Sequence, residues 1–81
     1  MVFTRGQQVV SKATGNRGMI ERIEYDDFNK CLMYEAAMVG IYLIPGTHGV
    51  HENDGCRWWF RAGDLFTLAE AAEIKAAAQT N

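Results

Sequence analysis

The sequence has one proline, two cysteines and no long apolar run, and each of these scarcities excludes something. Cys31 and Cys56 are not part of a CxxC pair, so the disulfide framework of a small secreted scaffold is excluded and a reducing, cytoplasmic setting is expected. The uncharged stretch Ala36–Gly49 is interrupted by Gly40, Pro45 and Gly46 and is too short to cross a bilayer. No apolar segment follows Met1, so the chain reads without a secretory leader. No phosphate-binding loop, GxGxxG or HExxH occurs. No charge of one sign dominates either. The net charge is −2, split between a basic opening (Arg5, Lys12, Arg17 and Arg22 against Glu21) and an acidic middle (Glu24, Asp26, Asp27, Glu35, Glu52 and Asp54 against Lys30). Scattered charge of this kind chiefly keeps a domain in solution.

What is present is a small globular composition, 48% hydrophobic and 22% charged in 81 residues, which makes one domain with a limited core. Its centre is Cys56-Arg57-Trp58-Trp59-Phe60-Arg61, an aromatic-rich stretch next to Gly55 and Gly63 that reads as a strand. Alternation places Cys56, Trp58 and Phe60 on one face, expected to be core with Trp58 as its buried indole, and Arg57, Trp59 and Arg61 on the other.

Upstream, Gln7–Lys12 reads as a short strand, residues 13–18 as a glycine-bearing loop and Met19–Tyr25 as a second strand. Ile20 and Ile23 lie three apart, so both face the core only if a bulge falls near Glu21-Arg22. Residues 26–30 are a polar turn, and Cys31–Val39 is a third strand with Leu32, Tyr34, Ala36 and Met38 on one face. Helix-forming residues in 32–38 offer a helix instead, but no cap precedes them, so strand is the reading kept. Residues 40–55 make a long loop. Its apolar head, Ile41–Ile44, either packs on the domain or presents an exposed patch. Thr67-Leu68-Ala69-Glu70 is a capping box opening an Ala-rich helix over 68–79, with a thin stripe of Leu68, Ala71, Ala72 and Ile74.

The stretch Gly6-Gln7-Gln8-Val9-Val10 with Gly15, Gly18, Ile20 and Ile23 resembles the KOW-type opening of SH3-like barrels. Arg57-Trp58-Trp59-Phe60 followed by Asp64-Leu65 is similar to their late strand and closing turn. The resemblance covers about residues 6–39 and 56–68 and implies a mainly β fold. The expected architecture is a small antiparallel SH3-like barrel over 1–66, with a long inserted loop at 40–55 and a short C-terminal helix and tail over 67–81. Barrels of this kind bind RNA, peptides or protein surfaces, and most carry no chemistry of their own.

Chemistry-bearing clusters are few. His48 and His51 with Cys31 and Cys56 have the ligand types for zinc but lack paired knuckles, so no metal and no cofactor is expected. Cys56 with either histidine is the only thiol–base pair, and nothing assembles around it, so no catalytic residue is assigned. For Trp59 three readings stand: an edge residue covered by the C-terminal helix, a protein contact, or a base-stacking platform. The expectation is a non-enzymatic module, an accessory or inhibitor protein of the kind phages and mobile elements encode. It would bind another protein, or itself as a homo-oligomer, through Tyr42, Leu43, Arg57, Trp59 and Arg61. The alternative is an RNA- or DNA-binding surface using Arg5, Lys12, Arg17 and Arg22.

Overall fold

The structure, a computed structural model, describes residues 3–49 and 56–79. Five antiparallel strands, β1 (Gln8–Ser11), β2 (Asn16–Asp26), β3 (Cys31–Ile41), β4 (Arg57–Arg61) and β5 (Leu65–Thr67), form one sheet in the order β4-β3-β2-β1-β5. A 3-10 turn, Ala62–Asp64, separates β4 from β5, and helix α1 (Leu68–Gln79) closes the described chain. The mainly β fold with one short helix is as expected. The closed barrel is not: the sheet stays open, with β4 and β5 as its two edges.

The physical reason lies at the corner between those edges. Three residues separate Arg61 from Leu65, four steps of chain, so the edges come within about 14 Å of each other there. The backbone groups at the corner are used by the turn instead of a ladder. The N–H of Arg61 donates to Asp64 Oδ2 (3.2 Å), and the N–H of Lys12 donates to the Asp64 carbonyl (3.0 Å).

The bulge foreseen at Glu21-Arg22 is present. Ile20 pairs with Ala36 and Arg22 with Glu35, leaving Glu21 as the extra residue of β2. Ile20 is thereby buried, and Ile23 packs on the same core as a half-buried neighbour. Residues 31–38 are strand, not helix, and β3 runs on through Gly40 and Ile41.

The apolar residues sort into two clusters on opposite sides of β1. Val9 joins Phe3, Ile20, Tyr34, Ala36, Met38 and Leu65 on the inner side, and Val10 joins Ile44 and Ala71 on the outer side. The centre of the first cluster is an edge-on pair, Phe3 against Tyr34, with ring centroids 5.3 Å apart. Trp58 is not its centre. It points to the inner side, opposite Ala36, yet stays 49% exposed, because β4 is an edge strand with sheet on one flank only.

The helix begins as expected. The N–H of Glu70 donates to Thr67 Oγ1 (3.0 Å), and the N–H of Thr67 donates to Glu70 Oε1 (2.8 Å). Ala71 is buried and Leu68 and Ile74 half-buried against β1 and β5, whereas residues 76–79 are exposed.

The apolar head of the long loop is packed, not displayed. Tyr42 N–H donates to the Gly15 carbonyl (2.8 Å), Gly49 N–H to the Thr14 carbonyl (2.7 Å), and Ile44 is buried under the helix. Gly15, at φ +76°, admits this approach, since a Cβ there would stand 2.2 Å from Thr47 Oγ1. Leu43 alone of the four apolar residues 41–44 is exposed. Residues 50–55, the remainder of the expected loop, lie outside the described residues, and so does His51.

Candidate functional site

The outer side of β2–β3–β4 is the polar side of the sheet, and register decides who meets whom on it. Three rows cross it: Met19–Ala37–Arg57, Arg22–Glu35–Trp59 and Glu24–Met33–Arg61. The bulge at Glu21 shapes this face. Being unpaired in the ladder, Glu21 sends its carboxylate across to β4, where it accepts from Arg57 Nε at 2.6 Å. Its carbonyl accepts from Arg5 Nε at 3.1 Å. The hydrogen bond and charge of Glu21 hold the Arg57 guanidinium above its ordinary value.

Next to this pair, the Arg22 guanidinium lies over the Trp59 ring, 5.5 Å from its centroid, and also pairs with Glu24. Glu35, buried between them, lies 3.9 Å from Arg22 Nη1. Trp59 is 41% exposed, with the Arg22 guanidinium on one side of its ring. A shallow cavity of about 690 Å³ lies beside Arg5, Arg22 and Arg57, and a second of about 340 Å³ lies between Tyr25, Met33 and Trp59, with Glu24 and Asp26 on its rim.

The expected contact set divides. Arg57, Trp59 and Arg61 share this face, as alternation required. Tyr42 is elsewhere: it belongs to the cluster under α1, with Lys75 Nζ 4.6 Å from its ring centroid. Six steps along β3, roughly 20 Å of strand, separate Glu35, the partner of Trp59, from Ile41, the residue before Tyr42. Leu43 follows Tyr42 away from the Trp59 face. Arg57 and Arg61 flank the indole along β4, and the guanidinium over its ring is that of Arg22, a residue placed only in the basic set by its charge. The bulge signal that puts Arg22 on this face was nevertheless legible in the Ile20–Ile23 spacing. The helix does not cover Trp59, since α1 packs at the opposite edge of the sheet.

The basic set divides as well. Arg5 and Arg22 border the larger cavity. Lys12 stands over the Phe66 ring at 4.9 Å, on the far edge. Arg17 pairs with Val10 and Gly40, and its Nε is buried without a hydrogen-bond partner among the described residues. No continuous basic stripe results.

The two cysteines do not converge. Cys56 lies opposite Met38, and Cys31 is seven residues away along β3, roughly 23 Å, with its Sγ 3.9 Å from Met33 Sδ. Among the described residues no group of three or more His, Cys, Asp or Glu side chains is arranged to hold a metal. Among the described residues no helix is long and apolar enough to cross a membrane. Comparison with protein-family models, with curated proteins and with solved structures finds no match to this chain.

Proposed function

We propose that this chain is a non-enzymatic protein-binding module of the SH3-like, KOW-like kind. It acts as a cytoplasmic accessory or inhibitor protein through the outer face of β2–β3–β4, centred on Trp59. The meander from β1 to β4, the bulged β2 and the short 3-10 turn before β5 support the likeness to that family.

The observation that carries the reading is the fixed Arg22–Trp59–Glu35 row with Arg57 anchored on Glu21. Tryptophan and arginine supply most binding energy in protein interfaces, and side chains already ordered lose less entropy on contact. The charge around Trp59 favours a protein over a polyanion. Arg5, Arg22, Arg57 and Arg61 are matched by Glu21, Glu24, Glu35 and Asp26, so a phosphate backbone gains no net attraction there.

The test is capture from native lysate with the whole chain and with Trp59→Ala, each with and without nuclease. The expected result is a partner lost with Trp59→Ala and indifferent to nuclease. Capture abolished by nuclease and by rising salt makes the ligand a nucleic acid. Capture unchanged by Trp59→Ala moves the site off this face.

A further inference from the structure

Strand β4 is where the sheet stops, and the hydrogen-bonding direction of its residues follows from the register. Met38 N–H donates to the Cys56 carbonyl (2.8 Å), with Ala36 opposite Trp58 and Tyr34 opposite Phe60. Alternation in an antiparallel ladder therefore turns the backbone groups of Cys56, Trp58 and Phe60 toward β3, and those of Arg57, Trp59 and Arg61 away from it. Asp64 takes the Arg61 N–H. Arg57 and Trp59 remain, each presenting an N–H and a C=O at the rim with no partner among the described residues. Edge strands are ordinarily blunted by proline, lysine or a bulge. Strand β4 carries no proline, lysine or bulge; its charges are Arg57 and Arg61, and between them lie two tryptophans, 49% and 41% exposed.

We propose that β4 pairs antiparallel with β4 of a second copy, Trp58 facing Trp58 across the two-fold axis, so that two five-stranded sheets become one. This rests on the reading of β4 as the contact strand and names its occupant. The charges select both the partner and the register. Centring the pair on Trp59 sets Arg57 opposite Arg61, and centring it on Arg57 sets that arginine against itself. Like charges directly opposite each other destabilise a ladder. Shifting by one residue sets an outward-turned backbone against an inward-turned one, and the hydrogen bonds are lost.

Centring on Trp58 avoids both faults. Arg57 then lies opposite Trp59 of the second copy, twice over by symmetry, and these residues exchange four backbone hydrogen bonds. The Trp58 residues form a non-hydrogen-bonded pair with Cα atoms about 4.5 Å apart, where side chains approach most closely. Each indole of Trp59 gains a second guanidinium, from Arg57 of the other copy, beside the one it already has from Arg22. One strand supplies both halves of every contact, as a two-fold interface requires. The interface is short, so the dimer is reversible and concentration-dependent.

The experiment is sedimentation equilibrium of the full chain from micromolar to millimolar concentration. The mass should rise from 9.1 kDa toward twice that value, with tryptophan emission moving to shorter wavelength in step. Trp59→Pro removes a donor that only the dimer uses, and an edge strand tolerates proline there. This variant should remain monomeric at every concentration. Register is read by cross-linking in a chain whose two cysteines are replaced by serine. Trp58→Cys should oxidise to a disulfide dimer. Trp59→Cys should not, because its Cα atoms lie beyond the span of about 7 Å that a disulfide bridges. A wild-type chain still monomeric at millimolar concentration overturns the self-pairing, as does cross-linking through Trp59→Cys but not Trp58→Cys. A partner captured from lysate by a monomeric chain would keep the Trp59 face and discard only its pairing with a second copy.

Discussion

Trading Phe3 against Trp58 tests the placement of the core directly. Phe3 is 1% exposed and stands edge-on to Tyr34, so Phe3→Ala removes a fully buried ring and leaves an enclosed void. Truncations of this kind cost about 3–5 kcal/mol. Trp58 keeps half its surface in water, so Trp58→Ala removes roughly 100 Å² of burial, or about 2.5 kcal/mol at ~25 cal/mol/Å². Residual burial in the unfolded chain lowers that by roughly 10–40%, and the site opens to solvent, so no closed cavity adds to it. The expected cost is about 1.5–2 kcal/mol. With about 4–8 °C of melting temperature per kcal/mol in a domain this small, Phe3→Ala should melt roughly 12–40 °C below the parent and Trp58→Ala roughly 6–16 °C below it. Calorimetry at low micromolar concentration keeps any dimer out of the comparison. Emission from Trp58 in a Trp59→Phe chain should be that of a half-solvated indole. A Trp58→Ala variant at least as destabilised as Phe3→Ala would refute this placement and return the indole to the core.

The remaining predictions concern a cap, a turn and a close approach. Thr67→Ala removes one half of the reciprocal cap at α1 and should cost about 1 kcal/mol, read from the denaturation midpoint at an unchanged slope. Asp26 accepts from the Asn29 side-chain amide, from the Asn29 N–H and from the Phe28 N–H, which together hold its carboxyl below the ordinary 3.8. A carboxyl depressed in the folded state stabilises above the unfolded value and loses that contribution as pH falls through the folded one. Nuclear magnetic resonance titration should therefore place Asp26 below 3.8, and Asp26→Asn should flatten the acid limb of stability; a titration midpoint above 3.8 would contradict the turn geometry. Gly15→Ala strains a positive φ and drives a Cβ into Thr47, so it should destabilise the domain by about 1–3 kcal/mol, read from the denaturation midpoint, and raise hydrogen exchange at the Tyr42 and Gly49 amides.

Much of the local structure was legible because its causes are local. The capping box at Thr67 and Glu70 announces the helix start, and alternation places Arg57, Trp59 and Arg61 on one side of β4. The Ile20–Ile23 spacing needs an extra residue between them, and Glu21 is that residue. These are period and hydrogen-bond arguments, decided within a few residues of chain.

Tertiary structure alone decided which strand lies at an edge. Trp58 has the residue type and the facing of a core side chain, yet its burial depended on a neighbour beyond β4, and the Asp64 turn uses the corner groups that a closing ladder would need. Phe3 fills the centre instead, from a segment with no periodic signal. Tyr42 is kept apart from the Trp59 face by the path of residues 42–49 along Gly15 and under α1. The Trp59 site owes its arginine to Arg22, two strands away. A sequence specifies which face a residue occupies through the period of its own strand. Which side chains from distant strands share that face depends on register and sheet order, set by packing across the whole sheet.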